Sequence, residues 1–144
     1  MLFLLCQIDD EAYALPAERV VEVLPLVEMK RVRGAPPEVK GSFRYRGAFV
    51  PVVDLGQLEI GRPAPMRMGT RIVLVELRGV PGCGPRVLVG LVAERATETL
   101  RCEPSAFAPF AIAPRGLVQR LDIDALLPAR LREFLFTSQE EEAA

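Results

Sequence analysis

Thirteen prolines and eleven glycines cut the apolar half of this 144-residue chain into short pieces, and that punctuation limits what it can fold into. A proline inside a helix removes a hydrogen bond and crowds the preceding turn, and Gly and Pro together mark turns. The pieces left between them are short and rich in β-branched residues. Leu2 to Ile8, the polar Asp9-Asp10-Glu11 and then Ala12 to Leu15 read as strand, turn, strand. After Pro16, Ala17-Glu18-Arg19 allows one turn of helix, and Arg19 to Leu24 favours extended structure. A basic segment from Glu28 to Arg33 runs into the loop Gly34-Ala35-Pro36-Pro37. Two strands then flank a turn at Gly47, and their alternation predicts that Arg44 and Arg46 project together, opposite Phe43 and Tyr45. Arg71 to Leu77, Arg86 to Ala93 and Ala96 to Arg101 read as three further strands. Gly116 to Ile123 is a late strand, after which Asp124 is placed to cap a short helix through Leu135. Many short strands at regular spacing predict a mainly β fold, a barrel or a sandwich.

The same residues narrow the function. A chain of this length buries a core of its own as one domain, without disulfides or metal. There is no histidine, which removes the commonest general base near neutral pH, the commonest metal ligand and every Ser-His or Cys-His pair. Cys6, Cys83 and Cys102 lie far apart and suggest neither a disulfide framework nor paired metal ligands. The apolar start, Met1 to Cys6, lacks a basic leader and a small-residue cleavage site and reads as a first strand. No apolar run approaches the roughly 20 residues a membrane helix needs. The expectation is a soluble, cytoplasmic protein. Its formal net charge of −1 names no partner.

Candidate sites have to be weighed against plainer readings. Gly79-Val80-Pro81-Gly82-Cys83-Gly84 lacks the Lys-Ser or Lys-Thr of a phosphate loop and reads as a hairpin turn. Asp122 and Asp124 make a thin cation site and a better strand end and helix cap. Cys83 and Cys102 have no base or resolving thiol beside them in sequence. Lys30, Arg31, Arg33, Lys40, Arg44 and Arg46 concentrate positive charge. A protein-binding surface and a solvated strand face explain that cluster about equally. A small nucleic-acid-binding barrel using Lys30 to Arg46 is the alternative, with Phe43 and Tyr45 as stacking candidates.

The run Val39-Lys40-Gly41-Ser42-Phe43-Arg44-Tyr45-Arg46-Gly47-Ala48-Phe49-Val50-Pro51-Val52-Val53-Asp54-Leu55 resembles the signature of CheW-like domains. That signature is a glycine, an Asn-Leu-Arg-Gly-like tetrapeptide and a Val-Pro-Val-Val-Asp-Leu-like strand. Phe3 to Leu15 resembles the family's opening hairpin, Arg19 to Leu24 its next strand, Leu88 to Val92 its Val-Gly-Leu-Val segment, and Leu121 to Leu127 its closing motif. The likeness spans nearly the whole chain.

What the resemblance implies is two intertwined, SH3-like, five-stranded β-barrels with a shared core. Residues 1–136 would form a single domain with a short C-terminal helix, and 137–144 a flexible acidic tail. It implies a non-enzymatic chemotaxis adaptor with no cofactor and no metal. The implied partners are the regulatory domain of a CheA-type histidine kinase and the cytoplasmic tip of a methyl-accepting chemoreceptor, with other CheW-like proteins as further candidates. Neither nucleic acid nor direct membrane insertion belongs to that picture, which sets the protein in receptor arrays at the inner face of the membrane. Carried over residue by residue, Arg46 falls on the family's arginine and Glu22 on the acidic residue near it, an expected ion pair. With Val20 and Arg44 they make up the implied receptor-binding set. The chain departs from the pattern at Arg44, where the family usually has asparagine, and at Ala93, where a Val-Asp pair is common. The short, proline-rich stretch from Glu103 to Arg115 puts one strand of the second barrel, and with it one array interface, in question.

Overall fold

A computed structural model describes residues 1–107, 111–113 and 116–137. In chain order the strands are β1 (Leu2–Ile8), β2 (Glu11–Pro16), β3 (Val20–Pro25), β4 (Val39–Tyr45), β5 (Ala48–Asp54), β6 (Thr70–Arg78), β7 (Arg86–Arg101), β8 (Ala111–Ala113) and β9 (Gly116–Arg120). Helix α1 (Leu55–Ile60) follows β5, and helix α2 (Ala129–Arg132) runs on into a π turn, Glu133–Thr137.

The architecture turns on β7, which serves two groups of strands. Its first half pairs antiparallel with β6, from Arg78↔Arg86 to Thr70↔Glu94, and parallel with β5 at Val52↔Gly90. Its second half pairs antiparallel with β1, from Leu2↔Arg101 to Leu5↔Glu98. Between the halves the register shifts, and Arg95 takes a left-handed φ of 51°. The extra residues of a bulge bend a strand and strengthen its twist, which lets one strand turn from one group to the other. The first group runs β4-β5-β7-β6-β3, and an isolated bridge from Lys30 to Ser42 returns the chain after β3 to β4. Gly41 permits that return, since a Cβ there would lie 2.6 Å from the Lys30 carbonyl oxygen. The second group runs β7-β1-β2-β9-β8, with β9 parallel to β2. The strand that the 103–115 stretch put in question is therefore present as β8, three residues long.

Burial follows from this sharing. On β6, Ile72 and Leu74 enter the first group's own core with Phe43, Val50, Val52 and Val92. Alternate residues Val73, Val75 and Leu77 enter the core common to both groups, with Leu4, Leu15, Val53 and Leu91. Both faces of β6 are buried, so its sequence is continuously apolar rather than alternating. Leu131, Leu135 and Phe136 bring the C-terminal helical segment into the common core. Each such side chain contributes about 1.5–3 kcal/mol when fully buried. The second group has a smaller core of its own, Phe3, Ala14, Phe107 and Val118.

Three local expectations are corrected. Ala96 to Arg101 is no separate strand but the continuation of β7 beyond its bulge. The C-terminal helix begins at Ala129 rather than beside Asp124, because the side chain of Asp124 is engaged elsewhere. Helix α1 was not anticipated; Asp54 caps it, its Oδ1 accepting from Gln57 N at 3.1 Å. The acidic extension 138–144 lies outside the described residues.

Candidate docking site

Strands β3 and β4 face each other across the seam of the first barrel. Besides the Lys30–Ser42 bridge, which ties the segment after β3 to β4, a side-chain contact joins the two strands: the Tyr45 hydroxyl donates to Glu22 Oε2 at 2.5 Å. That hydrogen bond raises the Tyr45 phenol above its ordinary pKa, because the neutral phenol is the form that donates to a carboxylate. Beyond Tyr45 the chain reverses at once. Arg46 and Gly47 both have positive φ, 48° and 83°, the geometry of a two-residue hairpin turn whose twist matches its strands. Tyr45 and Ala48 close the hairpin as cross-strand partners.

This geometry redistributes the predicted site. Arg46 sits at the turn rather than on the strand face, its guanidinium carbon 5.2 Å from the Tyr45 ring centroid. Arg44 lies on the strand, over its cross-strand neighbour Phe49, at 5.2 Å. The two arginines thus rest on two different aromatic rings, each held by a cation–π contact. Glu22 has the Tyr45 phenol, not the Arg46 guanidinium, as its hydrogen-bond partner. Val20 is half-buried against the common core, while its neighbour Val21 is exposed. Phe49, 60 % exposed, is the large apolar side chain of the hairpin. The structure therefore places Arg44 and Arg46 on the β4–β5 hairpin, ties Glu22 of β3 to it through Tyr45, and adds the exposed Phe49. Strand alternation around the inward-facing Val50 was the available signal for Phe49.

The rest of the basic cluster is dispersed. Lys40 is drawn to the buried Asp54, Nζ to Oδ2 3.7 Å, while both Asp54 oxygens accept from Ala64 N at 3.1 Å. Phe43 is buried and the Tyr45 ring is covered by Arg46, so neither offers the open face that stacking on a base requires. Asp124 is no cation ligand. It takes a bidentate contact from the buried Arg19, Nη1 to Oδ2 at 3.0 Å, and accepts from Arg78 N at 2.9 Å. Arg19 also donates to the Glu76 carbonyl oxygen, from Nε at 3.2 Å and Nη2 at 2.9 Å. Its hydrogen bond holds the Asp124 carboxyl below the usual range. In the same way Arg130 of α2 grips Glu38 and holds its carboxyl low. Both pairs fasten the C-terminal segment to the first barrel. Among the described residues no group of three or more His, Cys, Asp and Glu is placed to hold a metal ion. Burial pushes the Cys6 thiol up to about 12, the setting of an inert side chain. No described helix is long and apolar enough to cross a membrane.

Comparison with known proteins agrees with this architecture. The family model for the CheW-like domain matches residues 2–123. No curated protein matches the chain in sequence. In structure it is similar to the scaffolding protein TtCheW from Thermoanaerobacter tengcongensis, with a TM-score of 0.77 and 18% identity over 90% of this chain and 89% of that one. At that identity the likeness speaks for the fold.

Proposed function

The chain belongs to the CheW-like domain family, and from that premise we propose that it is a chemosensory scaffold coupling methyl-accepting chemoreceptors to a CheA-type histidine kinase. Its work in this reading is binding rather than catalysis, at the inner face of the membrane and without insertion into it. Residues 1–136 act as one docking module.

The observation that carries the receptor half is the β4–β5 hairpin, where Arg44 lies over the exposed Phe49, Arg46 lies over Tyr45, and the turn is braced by Tyr45 on Glu22. A guanidinium held over a ring loses less freedom when it meets a carboxylate than one free in solvent. Phe49 offers apolar contact beside Arg44, the combination that suits the face of an amphipathic helix. The proposed receptor-binding set is then Val20, Glu22, Arg44 and Arg46, of which Val20 packs against the common core.

The test is a pull-down from native cytoplasm with wild-type chain and Arg46→Glu, each retained set identified by mass spectrometry. Wild type is expected to retain a chemoreceptor and a CheA-type kinase, and Arg46→Glu to lose the receptor alone. A wild-type chain that retains neither contradicts the proposal.

A further inference from the structure

Away from the hairpin, the second group of strands stops short of closing on itself. Its pairing to β6 ends at Thr70↔Glu94, and beyond that point β7 has only β1 as a strand partner among the described residues. The outer edge from Ala96 to Arg101 therefore meets no described strand, and its backbone groups on that side are a template for one. At the opposite end of the group β8 is three residues long and pairs with β9. The open edge of β7 is about 20 Å long at roughly 3.3 Å per residue, room for a strand that the short β8 does not supply.

The sheet face beside that edge is only half covered. Through the pairs Leu5↔Ala14, Gln7↔Ala12 and Phe3↔Leu100, one face carries Phe3, Leu5 and Gln7 of β1, Ala12 and Ala14 of β2, and Leu100 of β7. Phe107 packs on the Phe3 end, ring centroids 4.9 Å apart and the rings edge to face. Past it a groove of about 530 Å³ runs between β1, β7 and β9. Leu5, Ala12 and Leu100 line it and are only partly buried, and the exposed Leu117 stands beside them. Open edge and open face meet at Leu100. An open edge pairs with an extended backbone, and the face beside it receives every second side chain of that backbone.

We propose that the outer edge of β7 takes an extended segment of a partner protein as an added strand, with the alternate apolar side chains of that segment lying in the groove. The chain's own extension, Ser138 to Ala144, is a poor match, because it holds no apolar side chain larger than alanine. A second copy's Ala96 to Arg101 is also a poor match, since Leu100 is its one large apolar residue. The fitting segment is extended, free of proline, and apolar at every second position. The proposal is independent of the receptor and kinase reading.

Peptides selected from a random nine-residue library against the full chain supply the probe, and amide hydrogen exchange reads where they bind. Selected sequences are expected to be apolar at every second position. A synthetic copy is expected to slow exchange at least about tenfold for those amides between Ala96 and Arg101 that point away from β1. Methylating every second backbone nitrogen of the peptide in one register is expected to weaken binding at least about tenfold, and in the other register to leave it nearly unchanged. Leu117→Ser, at an exposed side chain whose loss circular dichroism can show to leave the fold intact, is expected to weaken binding several-fold. A library that yields no binder, or binders with helical spacing, overturns the proposal, as do two methylated registers that bind equally. Outward amides already protected in the free chain at low concentration would assign the edge to the chain's own residues. Protection that rises with chain concentration alone would assign it to a second copy, and either result overturns the proposal.

Discussion

Removing a single oxygen probes the docking hairpin at the scale of one residue. Tyr45→Phe deletes the phenol that donates to Glu22 Oε2 and keeps the ring beneath Arg46. Loss of this hydrogen bond is expected to weaken receptor binding measurably if the brace orients the turn. Titration with a purified receptor fragment measures this, and an unchanged affinity would show that Tyr45 does not position Arg46. Arg19 is a different case, buried and bound to both Asp124 and the Glu76 carbonyl. Breaking a buried pair costs about 3–5 kcal/mol, but the Asp124 side chain is 42% exposed and water will take up part of its charge, so about 2 kcal/mol is expected for Arg19→Met. Urea denaturation reads it directly. The two depressed carboxyls also set a pH dependence. Asp124 and Glu38 titrate below their ordinary values of 3.8 and 4.5 in the folded chain. Their stabilisation is complete above those values and is lost as pH falls through the lower folded ones. Arg130→Gln should lower the neutral plateau of a stability–pH curve and flatten its acid limb, leaving stability at the acid end little changed.

At the scale of elements, the bulge in β7 is the joint on which the two groups of strands depend. Arg95 holds a left-handed φ of 51° there, a conformation that glycine adopts freely and a β-branched residue resists. Arg95→Val is expected to cost about 1–3 kcal/mol and Arg95→Gly almost nothing, as measured by thermal melts. Equal melting temperatures for the two would mean that the bulge is not strained by its side chain. Such a joint was not legible beforehand, because Ala96 to Arg101 reads as a strand in its own right and nothing in the local pattern says that it continues from Ala93. The hairpins were legible, since Asp9-Asp10 and Arg46-Gly47 break the apolar runs where the chain reverses. Helix α1 was hidden because its six residues are too few for a helical period to stand out. The start of α2 was misplaced because Asp124 is a good cap by type, while its real partner, Arg19, lies 105 residues away in sequence. The same limit applies to the proposed docking site. Its arginines were readable, but the Tyr45–Glu22 brace joins strands 23 residues apart, and only the closed barrel brings them together.

At the scale of the whole molecule, the common core takes side chains from both barrels and from the C-terminal segment, so neither barrel holds a complete hydrophobic interior alone. Unfolding should therefore be a single transition, with coincident curves from tyrosine fluorescence and far-ultraviolet circular dichroism. The second barrel's small separate core makes it the first place to look for any departure. A shared core of this kind suits a scaffold, which transmits the state of one partner to another by holding both in fixed relation. The most direct measurement of that claim is reconstitution of the chain with the receptor and kinase that it retains, following kinase autophosphorylation with and without receptor ligand. Kinase activity is predicted to follow receptor state only when the wild-type chain is present, and to lose that control with Arg46→Glu. Control that persists unchanged in the absence of the chain would contradict the account.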